Sequence, residues 1–210
     1  MHEAPKADDT IDKVALVVEA ASLAKELIVK DAGIGEDLTF SLYAWRNDYL
    51  VAVLQMRPEH MWIEKYERFK KLTNAACVLR KGWGVDEFTL VAEGYCSSDP
   101  EATRGLELDE AYITMDEVRS CLTFTHVNEI ETAIVTRPYK LTVPRKVEYE
   151  EEMYFPGQSI LRRKDGVIPA MLLRVIDSIE PERSPEDHVS YYEALNEGLY
   201  EEGFVAQWFQ

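Results

Sequence analysis

The sequence predicts an α+β fold: a mainly antiparallel sheet of about five strands with helices packed on one face. Alternating, aromatic-rich segments occur in pairs joined by short polar turns, and long segments between them have apolar residues at helical spacing. Strands and helices do not alternate regularly, as they would in a parallel sheet. We expect a core domain at residues 1–140, a proline-containing linker or crossing loop at 141–165, and an acidic, aromatic helical arm at 166–210.

The first helix is predicted at residues 11–30, where valines and alanines repeat at helical spacing. Leu16, Leu23 and Leu27 widen its apolar face, so we expect this helix to be buried on most sides. A hairpin follows, in which Asn47 and Asp48 supply the turn between two alternating strands.

A second helix is predicted at residues 57–81, ended by Gly82 and Gly84. The next strand begins at Glu87, and a polar, acidic connection at residues 97–118 leads to a second hairpin, whose turn is expected at residues 127–129. Prolines then mark the linker. Two further helices are predicted near residues 169–179 and 185–202. The second of them is followed by the C-terminal segment.

Charge and cysteine content exclude several classes of function. The net charge of −16 disfavours direct binding to nucleic acid or to anionic membranes, because both depend on Lys and Arg. The three cysteines have no paired spacing, and the N-terminal residues do not have the pattern of a signal peptide. We therefore expect a cytoplasmic protein with no membrane partner.

No standard catalytic or cofactor motif is present, and we expect neither a cofactor nor a metal ion. The nearest approach to a metal pair is His60 with Glu64, one helical turn apart. A zinc site needs a third or fourth ligand that this pair lacks.

Three residues are weak candidates for catalysis: Glu93, Cys96 and His126. Glu93 lies in the middle of a strand, where burial on the inner face would raise the pKa of its carboxyl. We expect it instead to be exposed or paired with an arginine, because glutamate is rarely fully buried. Cys96 could approach His126 if their strands pair in a suitable register. Cys121 could not, because an odd separation on one strand puts it on the opposite face from His126.

The C-terminal arm combines acids and aromatic residues: residues 180–210 contain eight acidic residues and one basic residue. Such a segment packs on its own domain, on another copy or on a different protein. The basic helix at 57–81 is the complementary surface within the chain. The residues predicted to contact a partner are Tyr192, Leu199, Tyr200, Phe204, Trp208 and Phe209 of the arm and Glu107, Asp109 and Glu110 of the acidic loop.

These observations favour a non-enzymatic interaction or assembly protein that acts through its acidic loop and C-terminal arm, with a protein partner or by forming a homo-oligomer. One version is an inhibitor whose ten acids at residues 86–117 mimic the charge of DNA. The alternative is a small hydrolase-like enzyme that uses Glu93, Cys96 or His126.

Overall fold

The computed structural model describes residues 10–31, 38–61, 63–97, 118–130, 132–142, 146–155, 167–180 and 188–209. These residues form five helices, which are α1 (Thr10–Asp31), α2 (Pro58–Met61), α3 (Lys65–Trp83), α4 (Val167–Ser178) and α5 (His188–Glu201). They also form eight strands, which are β1 (Ser41–Arg46), β2 (Tyr49–Met56), β3 (Glu87–Ser97), β4 (Val118–Val127), β5 (Thr132–Thr142), β6 (Lys146–Tyr149), β7 (Met153–Phe155) and β8 (Phe204–Trp208). The α+β class is confirmed, but the sheet has more strands than the five expected.

The strands form one antiparallel sheet in the order β8-β2-β1-β3-β4-β5, with β6 and β7 both paired to β5 at the far edge. The predicted β1–β2 hairpin is confirmed. Its turn residues Asn47 and Asp48 both have positive φ, 49° and 66°, as a tight turn that matches the strand twist requires. A shift in register between Ala44 and Trp45 leaves Val51 of β2 unpaired, which turns Leu50 to the α1 face beside Trp45.

Helices α3, α4 and α5 cover one face of the sheet. Alternate side chains of β1, β2 and β3, including Leu42, Leu54 and Phe88, pack there against the helices. Gly84 ends α3 with a φ of 67°, and its amide donates to the Arg80 carbonyl at 3.1 Å. The prediction that residues 57–81 form one helix is wrong, since two helices, α2 and α3, occupy this region.

The opposite face is covered by α1. Its inward side chains, including Val14, Val17 and Val18, pack on a second apolar cluster with Trp45 and Phe124. The expectation that the helices lie on one face of the sheet is therefore wrong. So is the expectation that α1 is buried on most sides, because the helix contacts the sheet with one side only, and Leu23 and Leu27 are exposed.

The segments predicted as linker and arm both contribute strands. Strands β6 and β7 fall within residues 141–165 and pair with β5. Strand β8 pairs with β2, so the end of the arm extends the sheet of the core. No helix among the described residues has the length and apolar character needed to cross a membrane.

Candidate functional site

The side of α1 that faces the sheet carries a buried lysine. Lys13 is 3% exposed, and its Nζ lies 2.7 Å from Asp48 Oδ1 and 2.7 Å from Glu87 Oε1. Asp48 belongs to the β1–β2 turn and Glu87 begins β3. Lys13 therefore ties the first turns of α1 to one end of the sheet.

Glu87 continues this network to His126. The Nε2 atom of His126 lies 3.1 Å from Glu87 Oε2, and its Nδ1 lies 2.8 Å from Thr89 Oγ1. Trp45 Nε1 donates to the same Thr89 oxygen at 3.2 Å. Because the indole nitrogen can only donate, the Thr89 proton is available to His126 Nδ1, which places the imidazole proton on Nε2, towards Glu87. We call Lys13, Glu87, His126 and Thr89 the first polar cluster.

Glu87 is held in its charged form. Burial alone would raise the pKa of its carboxyl, but hydrogen bonds from His126 and Lys13, together with the charge of Lys13, lower it to about 2. Burial alone would lower the pKa of Lys13, but Asp48 and Glu87 outweigh that effect and raise it above its ordinary value. Each charge of the Lys13–Glu87 pair therefore stabilises the other within the α1–sheet interface.

The order carboxylate, imidazole, hydroxyl in the first polar cluster is also the order of a nucleophilic triad. However, the His126 and Thr89 side chains are fully buried, and the Thr89 hydroxyl already accepts from Trp45. A nucleophile has to reach its substrate, and this hydroxyl has no exposed surface from which to do so. The array therefore joins α1 to the sheet, and its hydroxyl is not accessible to a substrate.

Glu93 lies in a second polar cluster further along β3. Its Oε1 is 2.7 Å from Lys25 Nζ and also accepts from the Tyr139 hydroxyl, and its Oε2 accepts from the Leu38 amide at 2.5 Å. Lys25 is 1% exposed, and its Nζ lies 5.5 Å from the centroid of the Tyr139 ring. Glu93 is thus only 10% exposed and is paired with a lysine, whereas we expected exposure or an arginine partner.

Cys96 lies on the opposite face of β3 from Glu93, as alternation along a strand requires. Its neighbour is Cys121 of β4, whose direct partner in the register is Gly94. Burial raises the pKa of the Cys96 thiol, and burial together with Cys96 raises that of Cys121 to about 12. A thiolate nucleophile needs the opposite shift.

The three catalytic candidates do not share a site. His126 lies opposite Thr89, which is four residues before Glu93 on β3. The side chains of His126 and Glu93 therefore lie on one face, about 13 Å apart along the strand. Cys96 is on the other face, and the approach of Cys96 to His126 that we considered does not occur. Cys121 and His126 lie on opposite faces, as their spacing predicted. A cleft that gathers these residues is therefore not formed.

The ring of His60 packs against Gly203, which has a φ of 88°. A Cβ atom at position 203 would lie 2.6 Å from His60 Cδ2, so the chain turn into β8 requires glycine there. The described residues include no group of three or more potential ligands that could hold a metal ion.

The arm residues predicted to contact a partner divide into two groups. Leu199 and Phe204 are buried among α3 and the sheet, so they belong to the core of the chain. Trp208 and Phe209 are half-buried, whereas Tyr200 is 58% exposed with the Arg57 guanidinium 4.0 Å from its ring centroid. The side chain of Tyr192 and the whole of Glu107, Asp109 and Glu110 lie outside the described part of the structure.

Helix α5 packs on α3, the helix that we considered as the receptor of the acidic arm. The contact is mainly apolar: Leu199 joins Leu72, Ala76 and Leu79 of α3. Asn74 Nδ2 adds a hydrogen bond of 3.1 Å to Glu202 just after α5. Among the described residues, apolar contacts therefore account for most of this docking.

The outward side of α1 is apolar at four positions, Leu16, Ala20, Leu23 and Leu27, which we call the outer stripe. Leu23 is 58% and Leu27 49% exposed, Ala20 is exposed and Leu16 is half-buried. Exposed leucines on a helix that buries two lysines reverse the usual arrangement. The sequence contained the signal, because these leucines fall outside the valine repeat that marks the inward side.

Comparisons with protein-family models, with curated proteins and with solved structures gave no match. The candidate site therefore rests on the geometry of the chain alone.

Proposed function

We propose that this chain is a non-enzymatic assembly protein whose principal contact surface is the outer stripe of α1. The observation that supports this proposal is the exposure of Leu23 and Leu27, large apolar side chains one helical turn apart on an otherwise acidic protein. Contiguous apolar surface of this kind is typical of sites that bind another protein.

The buried polar clusters support the same proposal. The candidate acid and the candidate base are both engaged in holding elements together. Glu93 binds Lys25, and His126 lies between Glu87 and Thr89. The α1 helix is consequently held in one register on the sheet, so its outward side chains are presented in a defined pattern. A pre-organised pattern lowers the entropic cost of binding.

The C-terminal arm supplies a smaller part of the proposed contact surface. Tyr200 and Val205 are its exposed apolar side chains among the described residues, and they are 58% and 56% exposed. The mimicry of nucleic-acid charge by Glu107, Asp109 and Glu110 remains a prediction from the sequence. Cytoplasmic location belongs to the same proposal, and it is consistent with the unpaired cysteines.

The test is a double substitution, Leu23→Glu with Leu27→Glu, compared with Tyr66→Glu as a control. Tyr66 is 69% exposed and belongs to α3 on the opposite face of the sheet. Each tagged full-length chain would be purified from its host, and the intact complexes weighed by native mass spectrometry. We expect the double variant to lose the assembly that the wild type and the control retain. An unchanged set of complexes in the double variant contradicts the proposal.

A further inference from the structure

Two of the three free cysteines are neighbours on the face of the sheet where α3, α4 and α5 pack. Cys96 of β3 lies opposite Arg119 of β4, and Cys121 of β4 lies opposite Gly94 of β3, so the two cysteines occupy diagonal positions. The register between the strands is regular here, which places both side chains on the same face. The two thiols interact through a side-chain hydrogen bond.

Gly94 leaves open space beside this pair. A Cβ atom added at position 94 would have no other heavy atom within 4 Å. Because the side chain of this position would point to the same face as those of Cys96 and Cys121, any other residue would place atoms next to both cysteines. The glycine therefore keeps the surroundings of the two sulfur atoms clear.

The separation of the two positions determines what can link the sulfur atoms. Diagonal positions on neighbouring strands have Cα atoms roughly 7–8 Å apart, whereas a disulfide usually requires less than about 7 Å. A metal ion between the sulfur atoms adds two metal–sulfur bonds of roughly 2.3 Å each, and therefore spans a wider gap. The diagonal register thus favours a bridging ion over a disulfide.

The number and type of ligands select the class of ion. Thiolates are soft ligands and prefer soft cations such as Cu(I). Zinc requires a third and a fourth ligand, and Cys96 and Cys121 belong to no group of three or more potential ligands among the described residues. Cu(I) differs from zinc in this respect, because two thiolates in a linear arrangement are enough to hold it.

The surroundings of the pair are suited to such an ion. Cys121 is 1% exposed and Cys96 is half-buried, so Cys96 provides the access from solvent and Cys121 the shielded side. Burial raises the pKa of both thiols, and the charge of Arg119 opposes this effect at Cys96. The sulfur atoms therefore keep their protons until a metal ion displaces them.

The exchange of ions balances as follows. One Cu(I) ion forms a bond to each sulfur and releases two protons to solvent, which leaves a single negative charge on the linked group. Arg119, directly opposite Cys96, offsets part of this charge. The Thr123 hydroxyl lies 3.8 Å from Cys121 Sγ and can donate to the sulfur once the thiol proton has left.

We propose that Cys96 and Cys121 form a binding site for a single Cu(I) ion, which the two sulfur atoms hold between β3 and β4. The site lies on the opposite face of the sheet from α1, so it is separate from the outer stripe and goes beyond the proposed function. The bound ion links two neighbouring strands and should stabilise the folded chain.

The test is a titration of the reduced, full-length chain with Cu(I) in the absence of oxygen, in competition with the copper chelator bicinchoninate. Native mass spectrometry counts the bound ions. We expect the wild type and Cys77→Ser to bind one ion each. Cys96→Ser and Cys121→Ser should each weaken binding by more than about a hundredfold, because changes around a metal site alone cost up to that much. Cys77 lies on α3 and is half-buried, so its replacement is the matched control for the loss of one thiol.

Two further measurements separate a shared site from binding to single thiols. X-ray absorption at the copper edge should show two sulfur ligands in the complex with one ion. The melting midpoint of the wild type should increase when Cu(I) is added, whereas that of Cys96→Ser should not. Circular dichroism of the copper-free chains establishes that each variant is folded, and the half-buried position of Cys96 makes its replacement the milder of the two.

Three results would overturn the proposal. The wild type could fail to take copper from bicinchoninate, all four chains could bind it equally, or Cys77→Ser could lose as much copper as Cys96→Ser. None of these results depends on the contacts of the outer stripe, so the proposed assembly function stands or fails separately.

Discussion

The two sides of α1 differ in a way opposite to that of an ordinary surface helix. The inward side buries Lys13 and Lys25 against carboxylates of β3, and the outward side exposes Leu23 and Leu27. An ordinary surface helix would have the leucines inside and the lysines in water. The comparison indicates that buried valines and two lysine–carboxylate pairs hold α1 to its own sheet, while Leu23 and Leu27 remain available for contact with another molecule.

The two layers of helices also differ in how they pack on the sheet. The layer of α3, α4 and α5 packs through an extensive apolar cluster, with Arg80 as its buried charge among the described residues. The α1 layer adds two ion-pair clusters to a smaller apolar contact. Buried ion pairs contribute little net stability compared with apolar packing, but breaking one of them is costly. Substitutions in the two layers should therefore have different effects and different pH dependence.

The largest effect is expected for Lys25→Met, which leaves Glu93 buried without its cationic partner. We expect a loss of about 3–5 kcal/mol in the free energy of unfolding, measured by urea denaturation at neutral pH. Lys30→Met is the matched control, since Lys30 is exposed on the same helix and its replacement should change stability by less than about 0.5 kcal/mol. Equal effects of the two substitutions would show that the second polar cluster does not hold α1.

Glu87→Gln should have the next largest effect, and one that depends on pH. The pKa of Glu87 is lowered from 4.5 to about 2, which corresponds to roughly 3 kcal/mol of stability. A depressed pKa stabilises the fold above the unfolded value, and this contribution is lost as the pH falls through the folded value. The difference in free energy of unfolding between wild type and Glu87→Gln should therefore be largest at neutral pH. It should disappear as the pH falls from 4.5 to about 2.

Denaturation curves across this pH range, with Glu19→Gln as an exposed control on α1, check that expectation. A difference between wild type and Glu87→Gln that is constant with pH would mean that Glu87 is not charged in the folded protein.

Arg80→Met probes the other layer. The Arg80 guanidinium donates to the carbonyls of Ile176 and Ile179, at the end of α4, and of Val85, at 2.9–3.2 Å. Losing these donors should cost about 2–3 kcal/mol, with Lys70→Met as an exposed control. Because the three acceptors are backbone carbonyls, which carry no charge, this loss should depend little on pH. A pH profile like that of Glu87→Gln would remove the distinction between the layers.

The smallest effect on stability is expected at the outer stripe itself. Leu23→Ala should change the free energy of unfolding of the monomer by less than about 0.5 kcal/mol, measured in dilute solution where association is negligible. Val17, fully buried on the inward side of the same helix, should be much more sensitive to replacement by Ala. A large loss at Leu23 would mean that the side chain is packed within the monomer.

Local signals explain which parts of the fold were predictable. The turn at Asn47 and Asp48 and the glycine that ends α3 are encoded by a few adjacent residues, and both were found. The pairing of β8 with β2 joins segments some 150 residues apart, so no local pattern reveals it. The same is true of β6 and β7, which are short and lie among prolines.

The partners of the buried charged residues could not be predicted from local sequence either. Glu93 was notable in the sequence because a mid-strand carboxylate is unusual, but its partner Lys25 comes from a helix 68 positions away. Lys13 and Lys25 interrupt an apolar repeat, and nothing in that repeat marks them as buried. Their role depends on the register of α1 against the sheet, which only the tertiary structure specifies.

The most direct test of the outer stripe as a contact surface is the mass of the native complexes that the full-length chain forms. Complexes of the wild type, of the double substitution Leu23→Glu with Leu27→Glu, and of the Tyr66→Glu control would each be weighed intact by native mass spectrometry. Because Leu23 and Leu27 are exposed on α1, we predict that the double variant loses the bound protein that the wild type and the control retain. Complexes of the same mass in all three chains would contradict the account.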